Sequence, residues 1–187
     1  MFGNCDSKTN GEQLFFNQIK DKIETIFDVG CRSDTEFLDF QGEVHYFDPM
    51  TDFISKLSKM ENKNKKSFFN NFGLSTESKT LYYYPKYQSF HDRKISCSSS
   101  DEQNKILLQV RKAKEYIEEN NITKIDFLKI DTEGHELEIL KGFEDKLSIV
   151  EIIQFEYGGT YLDSNIKLND IISYLKTRNF NSFFLSN

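Results

Sequence analysis

Four carboxylates, Asp28, Asp48, Asp131 and Glu156, each stand at the end of a short apolar run: TIFDVG, VHYFDP, IDFLKID and VEIIQFE. Runs of this length, closed by Gly, Pro or a charge, read as strands buried on both faces. A carboxylate at a strand end can accept two hydroxyl hydrogen bonds, meet a cation, or take a proton from a reacting hydroxyl. Asp48 follows Asp28 by 20 residues, and Gly30 stands just after the first run. A glycine there lets the backbone turn tightly and approach a ligand. An acid about 20 residues further on is placed to accept both hydroxyls of a ribose.

The same stretch argues against a dinucleotide. After Gly30 come Cys31, Arg32, Ser33 and Asp34, so the GxGxxG fingerprint is absent. Asp34 stands where a helix-opening glycine would cradle pyrophosphate, and a carboxylate there repels phosphate. An adenosyl ligand carrying sulfonium and ammonium groups fits the acidic turn better. A second cluster, Asp131-Thr132-Glu133-Gly134-His135-Glu136, supplies candidate bases. Asp131 ends a strand and comes first. Glu133 and His135 follow it, and His91 is offered by a polar loop. His135 has the most suitable ordinary pKa, near 6.5; the plainer expectation is an exposed helix residue. Glu136 is expected to complement the first turn of a helix. Asp131 and Glu156 alone do not make a convincing cation cage, so no metal is expected.

Positioning these groups takes an alternation of elements. Helices are predicted over 11–22, 34–40, 51–60, 112–120, 135–140 (closed by Gly142) and 168–179. Strands are predicted over 25–30, 44–47, 68–74, 80–84, 125–130, 150–155 and 182–185, and 106–110 reads as strand or helix. Strands alternating with helices imply an α/β, Rossmann-like fold: a mainly parallel sheet with helices on both faces. Right-handed crossovers put the strand C-termini on one edge, where ligands bind in such sheets. Residues 1–10 read as a flexible leader and 11–187 as a single domain. Residues 85–104, polar and holding His91 and Arg93, read as a long loop.

Composition narrows the classes. The chain has 187 residues with 37% hydrophobic and 29% charged, which suits a globular protein rather than a disordered one. Its 18 Phe and 9 Tyr, with no Trp, are expected to fill much of the core. A net charge of −6 disfavours nucleic acid as a partner. Cys5, Cys31 and Cys97 form no CxxC pair, so neither a zinc site nor a disulfide framework is expected. No apolar run reaches the ~18 residues of a membrane span, and a soluble, cytoplasmic protein is expected.

Several stretches together resemble one family. IFDVGCRSDTEF, VHYFDP, NFGLS and above all IDFLKIDTEGHELEILKGF are similar to the FkbM-type methyltransferases, over roughly residues 24–180. The resemblance implies a class I methyltransferase fold, S-adenosylmethionine as methyl donor, and O-methylation of a sugar or other hydroxylated small molecule. By motif it puts Asp28, Gly30 and Cys31 in the donor turn, Asp48 at the ribose, and Gly73 and Leu74 near the adenine. Asp131, Glu133, Gly134 and Glu136 match the family's signature after the fourth strand. Two positions depart from the pattern: Asp48 is usually Glu, and Asp34 is usually Gly.

The expectation is therefore an S-adenosylmethionine-dependent O-methyltransferase for a hydroxylated small molecule or glycan. A catalytically silent relative that binds the same cofactor, or a partner, is the alternative. A nucleotide-dependent oxidoreductase is disfavoured by the missing glycines. An apolar last strand at 182–185 would leave a sheet edge open, so a homodimer joined near 182–187 or a mobile C-terminus is expected.

Overall fold

The computed structural model describes residues 11–91, 104–157 and 161–183. Five strands form one parallel sheet: β1 (Thr25–Val29), β2 (Glu43–Phe47), β3 (Lys66–Asn70), β7 (Ile125–Ile130) and β8 (Val150–Phe155), in the order β3-β2-β1-β7-β8. β4 (Gly73–Ser75), β5 (Lys79–Tyr83) and β6 (Ile106–Lys112) form a second sheet of order β4-β6-β5, parallel between β4 and β6 and antiparallel between β5 and β6. The chain enters this sheet at β1, runs outward to β3, and returns to β7 on the other side of β1. The crevice between the C-terminal ends of β1 and β7 is thus a topological switch point, where such sheets bind ligands.

Both faces of the parallel sheet are covered, which is why its strands are apolar in both registers. One face carries Phe27, Val29, Phe47, Leu128 and Ile130 against α3 (Ala113–Glu119), α4 (Glu136–Gly142) and α6 (Leu168–Thr177). The other carries Ile26, Val44, Tyr46 and Phe127 under Phe16 of α1 (Glu12–Ile19) and Phe37. Aromatic rings do fill much of this core: Phe16, Phe37 and Phe127 pack with centroids 5.0–6.0 Å apart. α6 buries Ile171 and Leu175, and Asp170 accepts the backbone N–H of Lys167 at 2.8 Å, closing its first turn. α2 (Thr51–Leu57) links β2 to β3, and a short α5 (Tyr161–Ser164) precedes α6.

Several expectations are corrected. Residues 34–40 form turns rather than a helix, because Asn64 donates its amide to the carbonyls of Phe37 and Phe40 at 2.8 and 2.7 Å. The apolar stretch 68–74 splits into β3 and β4, which lie in different sheets. Between them Asn71 donates to the carbonyls of Asp48 and Pro49 at 3.3 and 3.1 Å and holds the chain at the crossing. Residues 106–112 are strand. Gly142 is the last helical residue of α4, not a left-handed stop beyond it. A Cβ there would lie 2.0 Å from the carbonyl oxygen of Ser75, so only glycine lets α4 back onto β4. Ser182 and Phe183 are irregular chain, and the rest of the expected last strand lies outside the described residues, as do residues 1–10, Arg93 and Cys97.

Candidate functional site

The turn after β1 gathers three strand ends. Gly30, at φ +84°, donates its N–H to the carbonyl of Phe47 at 2.9 Å. A Cβ on it would lie 2.0 Å from the carbonyl oxygen of Asp131, so glycine is required for the β1 and β7 loops to touch. Asp131 in turn donates its N–H to Val29 at 2.9 Å. Cys31 is buried and donates its N–H to Phe47 at 3.3 Å. Burial, with Asp28 and Asp48 nearby, keeps its thiol protonated.

Asp28 and Asp48 both sit in this turn, each 3% exposed. Thr35 donates its hydroxyl to Asp28 at 2.6 Å. Asp48 accepts the backbone N–H groups of Arg32 at 3.0 Å and Met50 at 2.8 Å, one on each oxygen. Burial pushes each carboxyl up to about 6, opposed at Asp28 chiefly by the Lys129 ammonium and at Asp48 by the two N–H donors. Asp34 has a largely exposed side chain directed toward Arg32, at 3.8 Å, so it does not fill the turn.

Lys129 was missing from the expected site. It lies in register with Asp28 on the neighbouring strand, its Nζ 3.3 Å from Glu36 and 5.9 Å from the centre of the Phe37 ring. The signal was present: it is the one ammonium within a strand, IDFLKI, whose other residues are all buried. Thr35 and Glu36 were hidden because that segment read as helix.

The second half of the site is the turn 131–136. Glu133 (φ +54°) and Gly134 (φ +102°) fold it back on itself. Glu136 is fully buried, and its Oε1 accepts the N–H and hydroxyl of Thr132, both at 3.0 Å, and the N–H of Gly134 at 3.3 Å. It therefore ties the turn to the start of α4, as its place in the first turn suggested. Asp131 and Glu133 are partly exposed at the crevice. His135 is 5% exposed rather than on an open helix face. Its Nε2 pairs with the Ser75 hydroxyl at 3.0 Å. Burial, with smaller contributions from His91 and Lys79, pushes its pKa down to about 3, so the ring is neutral. His91 lies beside it, ring centres 5.8 Å apart.

Leu74 is buried and belongs to the hydrophobic cluster that also holds Val29, Phe47 and Ile130. Gly73 packs near Val110 and Phe90. Tyr83, not anticipated, ends β5 nearby; burial pushes its hydroxyl pKa up, and the charges of Asp48, Arg32 and Glu133 reach it. Glu156 follows β8 and donates its N–H to Ile130 at 3.3 Å. Among the described residues no cluster of three His, Cys, Asp or Glu side chains is arranged to hold a metal. No helix among them is long and apolar enough to cross a membrane.

A glycine turn at a switch point, acids at the ends of β1 and β2, and an Asp-x-Glu-Gly turn after β7 coincide in one crevice. The family model for the methyltransferase FkbM domain matches residues 28–182. Neither the curated proteins nor the solved structures yield a match. The family match runs from the end of β1 through both halves of the crevice and covers most of the chain, so the chain belongs to the FkbM methyltransferase family.

Proposed function

We propose that this methyltransferase uses S-adenosylmethionine and methylates a hydroxyl of a small molecule or glycan. The observation that carries the reading is the pair of buried acids, Asp28 and Asp48, at the switch point. Each Asp48 oxygen accepts one backbone N–H, and a carboxylate oxygen has a second lone pair left for a ribose hydroxyl. Carboxylates outnumber ammonium groups around Lys129, where Asp28, Glu36, Asp131 and Glu12 are the charges that act on it. That balance favours a cationic methionine end and disfavours pyrophosphate.

When bound, S-adenosylmethionine supplies an electrophilic methyl group for in-line displacement. The chain's own task is to align the acceptor and remove its hydroxyl proton. Asp131 is the proposed base, because it is a partly exposed carboxylate on the crevice side of the turn. Glu133, partly exposed in the same turn, is the second carboxylate proposed to serve the acceptor. His135, neutral and bonded to Ser75, orients the turn rather than taking the proton.

Calorimetry with S-adenosylhomocysteine and NAD, followed by methyl transfer to a panel of hydroxylated acceptors, tests this. S-adenosylhomocysteine is expected to bind and NAD is not. Asp131→Asn is expected to lower turnover by roughly a hundredfold or more while leaving S-adenosylhomocysteine affinity within about threefold. Full activity of Asp131→Asn removes it as the base. Binding with no transfer to any acceptor supports a silent relative instead.

A further inference from the structure

We infer that Lys129 is a positioning residue: its enclosed ammonium, bridged to Glu36 and in register with Asp28, holds the carboxylates of the donor end charged and in place. This rests on the reading of that end as the site of a cationic donor.

A lysine in the middle of a parallel sheet needs a reason, since a strand buried on both faces favours apolar side chains. Here the side chain is 19% exposed. Across the sheet it belongs to a row of Tyr46, Asp28, Lys129 and Gln154, paired strand to strand near the C-terminal ends. The row forms the polar roof of the core layer beneath α1 and the 31–40 turns. Charges converge on the ammonium from four elements: Asp28 from β1, Glu36 from the turns, Asp131 from beyond β7, and Glu12 from α1. Burial alone would favour its neutral form, but these carboxylates outweigh burial and keep it protonated. It is therefore a fixed cation, unable to act as a base.

Its leverage falls on Asp28. Desolvation favours the neutral acid there, with Glu36 and Asp131 adding to it, and Lys129 and the Thr35 hydroxyl oppose it. Cys31 and Tyr46, the other titratable groups facing Asp28, are kept protonated by burial and bring no charge. Without the ammonium, like charges face one another in a desolvated space, and Asp28 takes up a proton. A neutral acid no longer attracts the cationic end of the donor.

The test uses the whole chain with Lys129→Met, Lys129→Gln, Lys129→Arg and Glu36→Gln. The Asp28 carboxyl is titrated by carbon NMR without ligand, and S-adenosylhomocysteine affinity is measured by calorimetry from pH 6 to 9. In Lys129→Met the Asp28 midpoint is expected to rise by about one pH unit or more. Affinity is then expected to fall about twofold at pH 7 and about fivefold at pH 6, and to recover as pH rises. Lys129→Arg is expected to keep both near the parent values. Glu36→Gln removes a neighbouring negative charge and is expected to move the midpoint down; Lys129→Gln, which loses the charge but keeps a polar head, is expected to raise it, and decides the case even if Lys129→Met does not fold. An unmoved midpoint in folded Lys129→Met or Lys129→Gln, or a midpoint raised by Glu36→Gln, overturns the role. So does a pH-independent loss of affinity, which marks a purely structural lysine. If the parent chain binds no S-adenosylhomocysteine, the donor reading fails, and with it the part of the inference that concerns the donor; the midpoints still show whether Lys129 controls Asp28.

Discussion

Asp28 and Asp48 are equally buried and are pushed up to about 6 alike, yet they are compensated by different parts of the chain. Asp28 is served by side chains, the Thr35 hydroxyl and the Lys129 ammonium. Asp48 is served by the backbone N–H groups of Arg32 and Met50. The first arrangement can be retuned one side chain at a time. The second is part of the loop conformation, with Arg32 held at φ +51°, so Asp48 shapes the turn in which it stands.

The sharpest break of this comparison is Asp48→Ala. It leaves two N–H groups without their acceptor in a mostly desolvated turn, at about 1–3 kcal/mol each. A loss of about 2–4 kcal/mol in urea denaturation is expected. The missing ribose acceptor should cost a further 2–3 kcal/mol or so of S-adenosylhomocysteine affinity in calorimetry. A variant as stable as the parent would mean that water replaces the carboxylate, and that Asp48 does not shape the loop.

Asp28→Asn should behave differently. The amide oxygen still accepts from Thr35, and the cost of a buried charge disappears. Stability at pH 7 is therefore expected to rise by about 2 kcal/mol, while S-adenosylhomocysteine affinity falls about tenfold. The pH dependence carries a definite sign. With a folded pKa of about 6 against 3.8 for the free side chain, the native state binds the extra proton. The parent chain therefore gains stability relative to Asp28→Asn as pH falls from about 7 to 4, by on the order of 3 kcal/mol. Parallel denaturation curves at pH 7, 5.5 and 4 check this; a difference that does not grow would place the Asp28 pKa in the ordinary range.

The smallest effect belongs to Thr35→Val, which removes one of the supports of Asp28 and keeps the shape. About 1 kcal/mol of stability is expected to go, and the Asp28 midpoint should rise modestly in the NMR titration. An equal loss in Thr35→Val and Asp48→Ala would erase the distinction between the two acids.

Much of this site could be read from residue order. Strand ends are marked by apolar runs that stop at a charge, so the neighbourhood of Asp28, Gly30, Asp48 and Asp131 was legible before any coordinates. What was not legible depends on partners distant in the chain. Residues 34–40 have apolar residues at helical spacing, but Asn64 takes two of their carbonyls and breaks the pattern. Phe68 to Leu74 is evenly apolar, and nothing local says that the chain changes sheet at Asn71. Buried Leu74 and enclosed His135 depend on how the second sheet docks against α4, a long-range event. Lys129 is visible as an oddity in its strand, but its carboxylate neighbours come from four other places.

The contact between Gly142 and Ser75 has a mechanical consequence. With no side chain between them, α4 and β4 meet backbone to backbone, like two parts joined without a gasket. β4 is bonded to β6 and β6 to β5, so Tyr83, at the end of that series, rides with the helix that follows the 131–136 turn. A tilt of α4 is transmitted to the wall of the crevice with little lost motion. Evolution can recut that wall by changing the side chains on β5, but it cannot loosen the joint at Gly142 without pushing helix and sheet apart.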